Sequence, residues 1–210
     1  MKKIVLLLTF VAAFILSSCD EESAGVSTVT TYPTITLEGD EAQTILVGGN
    51  YVENGYVAKE GENDITANVI VDGTVNTAKS GVYTITYTVA NKDGFTTSSR
   101  RYIGVITPSA AAMDISGSYK RNAGVYGIAT VTKTSYPGLY INDNPGGIAA
   151  AGIDIYMFHT DATVVSAPSQ SSSVGEFACT NGVYDDVNKL FSWICINVGY
   201  GTAVRTYIKL

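Results

Sequence analysis

One histidine, three cysteines and scattered carboxylates set the chemistry this 210-residue chain can attempt. Nucleophilic hydrolysis needs a hydroxyl or thiol with a base beside it, yet there is no Gly-x-Ser-x-Gly. His159, the only imidazole, ends the apolar stretch Tyr156-Met157-Phe158 and reads as a structural or surface residue. Carboxylate pairs can cleave glycosides without His. Asp185-Asp186, however, sit in the polar segment Asp185-Asp186-Val187-Asn188-Lys189, a turn in which Asp bonds its own backbone. Asp143, between Asn142 and Asn144, also reads as a turn, because no downstream Glu completes a calcium loop. The Gly146-Gly147 to Gly152 stretch lacks the Lys-Ser/Thr that grips phosphate and is expected to be a flexible connection. Without His-Glu-x-x-His or Cys-x-x-Cys, no zinc site is expected. A net charge of −6 and a pI near 4.7 leave no basic face for nucleic acid. The expectation is a non-enzyme with no metal site and no cofactor.

What remains is aromatic. Fourteen Tyr and one Trp on a β scaffold fit sugar-binding platforms, where flat rings cover the C–H faces of pyranoses and polar groups bond the rim. Sheets also carry Tyr for packing alone. The candidates outside the clearest strands are Tyr136, Tyr140 and Tyr200, with Asn142 and Asp143 as polar neighbours. Trp193 lies close in sequence to Phe191 and Cys195, which favours the core over an exposed platform.

The elements that would hold these residues begin after an export signal. Lys2-Lys3 precede an apolar run, residues 4–16, that is too short to span a bilayer. The following Leu16-Ser17-Ser18-Cys19 resembles the lipobox of bacterial lipoproteins. That resemblance implies cleavage after residue 18 and a lipid anchor on Cys19, which ties the mature protein to a membrane without crossing it. Asp20-Glu21-Glu22 resembles the surface-export signal of Bacteroidota lipoproteins, implying an outer-membrane location facing the exterior. Loss of Lys2 and Lys3 with the signal leaves 11 basic and 19 acidic side chains, a balance of −8. Residues 19–32, mostly small and polar after the acidic triplet, are expected to form a flexible tether.

From Pro33 onward the pattern is short alternating runs broken by Gly, Asn and Asp, with no sustained helical period, so an all-β fold is expected. Strands are predicted at residues 34–37, 43–47, 65–71, 82–90 and 96–105. In the clearest, Tyr83, Ile85, Tyr87 and Val89 share one face and Thr84, Thr86 and Thr88 the other. Asn91-Lys92-Asp93-Gly94 supplies the turn into the next strand. Tyr83 stands where Ig-like sandwiches place a corner tyrosine.

Tyr32-Pro33-Thr34-Ile35-Thr36-Leu37, Val47-Gly48-Gly49-Asn50-Tyr51, Gly55-Tyr56-Val57-Ala58 and Gly81-Val82-Tyr83-Thr84-Ile85-Thr86-Tyr87 closely resemble the bacterial Ig-like repeat of Bacteroidota surface lipoproteins. The resemblance implies an Ig-like β-sandwich over residues 33–107, acting as a spacer or adhesion unit without catalytic groups. Residues 108–113 are read as a linker.

Residues 114–210 carry eight predicted strands, at 117–121, 125–132, 139–142, 153–158, 164–167, 175–180, 190–197 and 203–209. These are expected to form an antiparallel meander closed into a barrel or folded as a sandwich. Asp114-Ile115-Ser116-Gly117-Ser118-Tyr119, Asn181-Gly182-Val183-Tyr184-Asp185 and Phe191-Ser192-Trp193 resemble the C-terminal domain that accompanies the Ig-like unit in such lipoproteins. That domain has no assigned activity.

With Cys19 lipidated, Cys179 and Cys195 remain as a pair. Their midpoint, residue 187, falls in the polar turn, so a hairpin centred there sets Cys179 opposite Cys195. The same register sets Phe177 against Asn197, Asn181 against Trp193 and Val183 against Phe191. Cross-strand spacing admits a disulfide, which would contribute about 3 kcal/mol in the chain-entropy model. Two buried free thiols are the alternative. The functional expectation is a non-catalytic surface lipoprotein whose C-terminal domain binds extracellular glycan. The competing expectation is an interaction protein docking on a neighbouring outer-membrane or host protein.

Overall fold

The computed structural model describes residues 30–150 and 152–210. The export signal, Cys19, the acidic triplet and nearly all of the tether lie outside the described residues.

The first seven strands form two facing sheets: β1 (Pro33–Leu37), β2 (Ala42–Leu46), β3 (Tyr56–Glu60), β4 (Asn63–Asp64), β5 (Ile70–Asp72), β6 (Gly81–Ala90) and β7 (Thr96–Ile106). One sheet is ordered β1-β3-β4 and the other β2-β7-β6-β5, with β2 parallel to β7. The β6–β7 hairpin was legible in the sequence. Ile85, Tyr87 and Val89 are buried, as the alternation requires, and the Asn91 side chain accepts the backbone N–H groups of Asp93 and Phe95 to shape the turn. Tyr83 makes the corner contact, its hydroxyl donating to the Lys79 carbonyl at 2.9 Å.

The strand expected at residues 65–71 is largely absent. Asp64 Oδ1 accepts the Thr66 N–H, and Thr66 Oγ1 accepts the Ala58 N–H, so local side-chain bonds divert the chain into a 3-10 turn, Thr66–Asn68. Only the short, exposed β5 survives. The sequence reading placed no strand at β3, which pairs with all of β1.

Within the linker region the chain makes a turn of helix, α1 (Pro108–Ala112). Thr107 caps it, its Oγ1 accepting the Ala110 N–H, and Pro108 sits where its missing N–H costs nothing.

Eight antiparallel strands follow: β8 (Gly117–Arg121), β9 (Ile128–Lys133), β10 (Leu139–Asn142), β11 (Ile155–Asp161), β12 (Val164–Ser172), β13 (Gly175–Asp185), β14 (Leu190–Ile196) and β15 (Val204–Lys209). Each pairs with the next, and β15 returns to β8, closing a barrel. Of the two expected outcomes, the barrel holds. Its interior is packed with Tyr119, Tyr140, Phe177, Tyr184, Phe191, Trp193 and Tyr207 rather than left open.

Gly146 and Gly147, expected to begin a flexible connection, are buried together with Asn144 and Pro145, and this segment stops one end of the barrel. The Pro145 carbonyl accepts Trp193 Nε1–H at 3.0 Å and the Tyr207 hydroxyl at 2.6 Å. A Cβ on Gly146 would lie 1.9 Å from the Tyr200 ring, so the glycine is needed for close approach.

The β13–β14 hairpin pairs Cys179 with Cys195 as expected, but the register slips between Thr180 and Val183. Val183 therefore faces Ser192 and Tyr184 faces Phe191, correcting the expected Val183–Phe191 pair. The bulge sits at Asn181, at φ 54°, and Gly182, where a Cβ would be 1.9 Å from the Val165 carbonyl oxygen. It turns Val183 outward, 51% exposed, and buries Tyr184.

Candidate functional site

The two β units do not hang on a loose bridge. Along β7 the odd residues Ile103 and Val105 face the sandwich core, while Tyr102 and Gly104 face the barrel, so residues 101–106 are buried on both sides. Tyr102 and Ala42 pack with Leu139 and Phe158 of the barrel wall, joined by Val82, Tyr136 and Tyr156. Gly104 permits the approach, since a Cβ there would sit 2.6 Å from Phe158. Thr44 Oγ1 donates to the Pro137 carbonyl at 2.7 Å, and Tyr136 donates to Asp40 Oδ2 at 2.6 Å.

Beside this seam lies an open cleft of about 670 Å³, walled by β7 and Glu41 on one side and by β10, β11, β12 and β13 on the other. Tyr102 and Tyr156 line it, with ring centroids 6.1 Å apart and tilted. Tyr102 gives its hydroxyl to the Ser169 carbonyl at 3.1 Å, and Tyr156 reaches Glu41 Oε2 at 3.4 Å. Burial raises the pKa of both phenols, so both hydroxyls remain donors at neutral pH.

Tyr156 is braced from behind by Gln170. Where β12 slips its register against β13 between Ala167 and Gln170, the Gln170 amide takes a strand's place. It accepts the Tyr156 N–H at 2.7 Å and donates to the Tyr156 carbonyl at 3.1 Å. Across the cleft, Arg100 Nη1 lies 2.9 Å from both carboxylate oxygens of Glu176, and Ser169 Oγ donates to Glu176 Oε2 at 2.6 Å. These partners, Ser169 first and then Arg100, hold the Glu176 carboxyl below its usual range.

Arg101, fully buried on the other face of β7, fixes the turn that carries Asp40 and Glu41. Its guanidinium donates to the carbonyls of Asp40 at 2.5 Å, Glu38 at 2.8 Å and Gly55 at 3.0 Å, and lies 3.0 Å from Glu53 Oε1.

The five residues read from the sequence as a sugar platform are not brought together there. Tyr140 is fully buried in the barrel, accepting the Ile115 N–H and donating to the Met113 carbonyl. Asn142 is fully buried too, accepting the Asn144 N–H. Neither can meet a surface ligand, because β10 is short and covered on both faces, which corrects that expectation. Asp143 accepts the Thr130 N–H at 2.6 Å, and Tyr200 packs edge-on against Phe177, 5.1 Å between centroids. Tyr136 belongs to the seam. Trp193 is core.

The Cys179 and Cys195 sulfurs lie 3.9 Å apart, unbonded, and Cys195 donates to the Pro145 carbonyl at 3.2 Å. Burial pushes the Cys179 thiol up. Cys195, contacted by Cys179 and facing Arg205 and Arg121, is the more acidic of the two. His159 is buried against Tyr184 and is not among the residues lining the cleft.

Sequence reasoning missed Arg100, Tyr102, Tyr156 and Gln170. One signal was available: Tyr102-Ile103-Gly104-Val105-Ile106 is a continuous apolar run, the mark of a strand covered on both faces.

Residues 35–105 match the family described as bacterial surface protein, Ig-like domain. No curated protein matches the chain significantly. Among solved structures, a lipoprotein of Bacteroides thetaiotaomicron is similar at 23% identity and a TM-score of 0.39, covering 85% of this chain and 100% of its own. Two Clostridium perfringens ZmpB structures are similar at 17% identity. The one with an M60 catalytic domain and two CBM51 domains has a TM-score of 0.32, covering 67% of this chain and 14% of its own. The other, a CBM51 domain in complex with GlcNAc together with INT domains, has a TM-score of 0.30, covering 64% and 28%.

Proposed function

We propose that this protein is a non-catalytic, lipid-anchored bacterial surface protein that binds extracellular glycan in the cleft between its Ig-like sheet and its barrel. The anchor is Cys19 and the location is the outer membrane, facing outward. The Ig-like match over residues 35–105 supports surface display. The observation that carries the glycan reading is the cleft itself. It is an open, polar cavity that presents the partly exposed Tyr156 ring beside the buried Tyr102, rimmed by Ser and charged groups. The Ig-like unit is then half of the site and more than a spacer.

Binding is favoured over hydrolysis by electrostatics. A glycosidase needs a carboxyl held protonated as general acid. Glu176, between Arg100 and Ser169, is pushed the other way. The barrel interior offers no rival site, being filled by aromatic side chains.

Cys179 and Cys195, exported to an oxidising compartment, are proposed to form a disulfide, for which their directly opposed positions are suited. Mass analysis of native protein with and without reductant tests this, and free thiols would reject it.

The test of function is a glycan array followed by calorimetry on the intact mature protein. Binding to at least one polysaccharide class is expected, and none across plant, host and microbial glycans would overturn the reading.

A second reading, docking on a membrane or host protein, is favoured by one exposed patch. Ile208, Lys120 and Ile128 lie side by side across β15, β8 and β9, with Tyr126 and Leu210 exposed nearby. Crosslinking on intact cells to a partner that persists without sugar would favour it.

A further inference from the structure

The charge of the cleft is lopsided. Arg100 is the one cation among its lining residues, and it is committed to Glu176 and to the Ser169 carbonyl. Glu41 and Asp154 line the same cavity with no cation within ion-pair distance among the described residues. Glu41 takes only the long bond from Tyr156 to its carboxylate, and the Asp154 side chain has no hydrogen-bond partner among those residues.

Uncompensated carboxylates lining a cleft attract ammonium groups by charge and repel carboxylates and sulfates. We propose that the cleft selects glycans bearing free amino groups, such as chains of unacetylated 2-amino sugars, over neutral chains, and rejects acidic ones. This rests on the glycan reading above and names the ligand class for that site.

A basic peptide shares the ammonium chemistry, but peptides commonly dock by adding a strand to an open sheet edge. On the barrel side no edge is offered, because the Gln170 amide already takes both backbone groups of Tyr156; β2 pairs only residues 102–106 of β7, so the edge at residues 98–100 is open on that side and the peptide is an outcome the test below decides. The hydroxyl lining of Ser98, Ser99 and Ser171 suits the hydroxyls of a sugar.

The experiment is calorimetry on the intact mature protein at pH 6 and low salt, using size-matched oligomers of glucosamine, N-acetylglucosamine and galacturonic acid. The glucosamine oligomer is expected to bind about tenfold tighter than its acetylated form, with galacturonate undetected. Asp154→Asn and Glu41→Gln are each expected to bring that ratio down severalfold, and added salt to do the same. Equal or tighter binding of the acetylated or acidic oligomer would overturn the selectivity and leave the glycan reading standing. Failure of all three to bind would overturn the selectivity as well, and the broader array then decides the glycan reading separately. Oligolysine binding tighter than the glucosamine oligomer, and weakened in the same variants, would overturn the sugar assignment in favour of a peptide.

Discussion

Arg100 on β7 and Glu176 on β13 meet across the cleft, one guanidinium nitrogen 2.9 Å from both carboxylate oxygens. They come from the two halves of the molecule, so their pairing reports how the halves are set. Both side chains are partly exposed, at 35% and 51%, so the pair supplies alignment more than stability. Arg100→Ala is expected to cost about 1 kcal/mol or less in urea unfolding, with the deficit shrinking in high salt. A loss of several kcal/mol would show that the pair holds the molecule together, contrary to this account.

The seam behind it is apolar and should dominate. Phe158→Ala removes a fully buried ring between β11 and the Ig-like sheet and is expected to cost about 3–5 kcal/mol. Limited proteolysis should then cut between the halves, in residues 107–114. A variant that unfolds in one unchanged cooperative transition would count against a seam of this weight.

Arg101 is the buried counterpart. Truncating it leaves Glu53 without its cation and removes a donor from the Asp40 and Glu38 carbonyls, with Gly55 keeping the Glu38 N–H, so Arg101→Met is expected to cost about 3–5 kcal/mol. Because Arg101 fixes the turn carrying Glu41, ligand affinity should fall in the protein that remains folded.

His159 predicts a pH dependence. Burial depresses its folded pKa below the ordinary value of about 6.5, so the unfolded chain binds the proton more readily. Stability is therefore present in full above that value and is lost as pH falls from it toward the folded pKa. Unfolding free energy should drop between pH 7.5 and pH 5, and His159→Gln should flatten that slope. An equal slope in the variant would assign the effect to other groups.

How much of this was readable beforehand follows from the range of the forces involved. Alternation along residues 82–89, the turn at Asn91 and the opposition of Cys179 and Cys195 are local, and each was recovered. The slip at Asn181-Gly182 was not, because a bulge depends on what Val165 leaves room for on the neighbouring strand. The cleft was hidden for a stronger reason. Tyr102 and Tyr156 lie far apart in sequence and meet only because Gly104 lets Phe158 close onto the sheet. Tyr140 and Asn142 looked equally available until the barrel closed over them.

The central claim is that the cleft, and no other surface, holds the glycan. The most direct measurement is calorimetric affinity for the best glycan from the array, compared between the parent protein, Tyr156→Ala in the cleft and Tyr126→Ala on the distant apolar patch. The account predicts that Tyr156→Ala weakens binding at least about tenfold, with loss of one stacking face and one hydroxyl, while Tyr126→Ala binds as the parent does. Unchanged affinity in a folded Tyr156→Ala protein, or loss of binding in Tyr126→Ala, would contradict it.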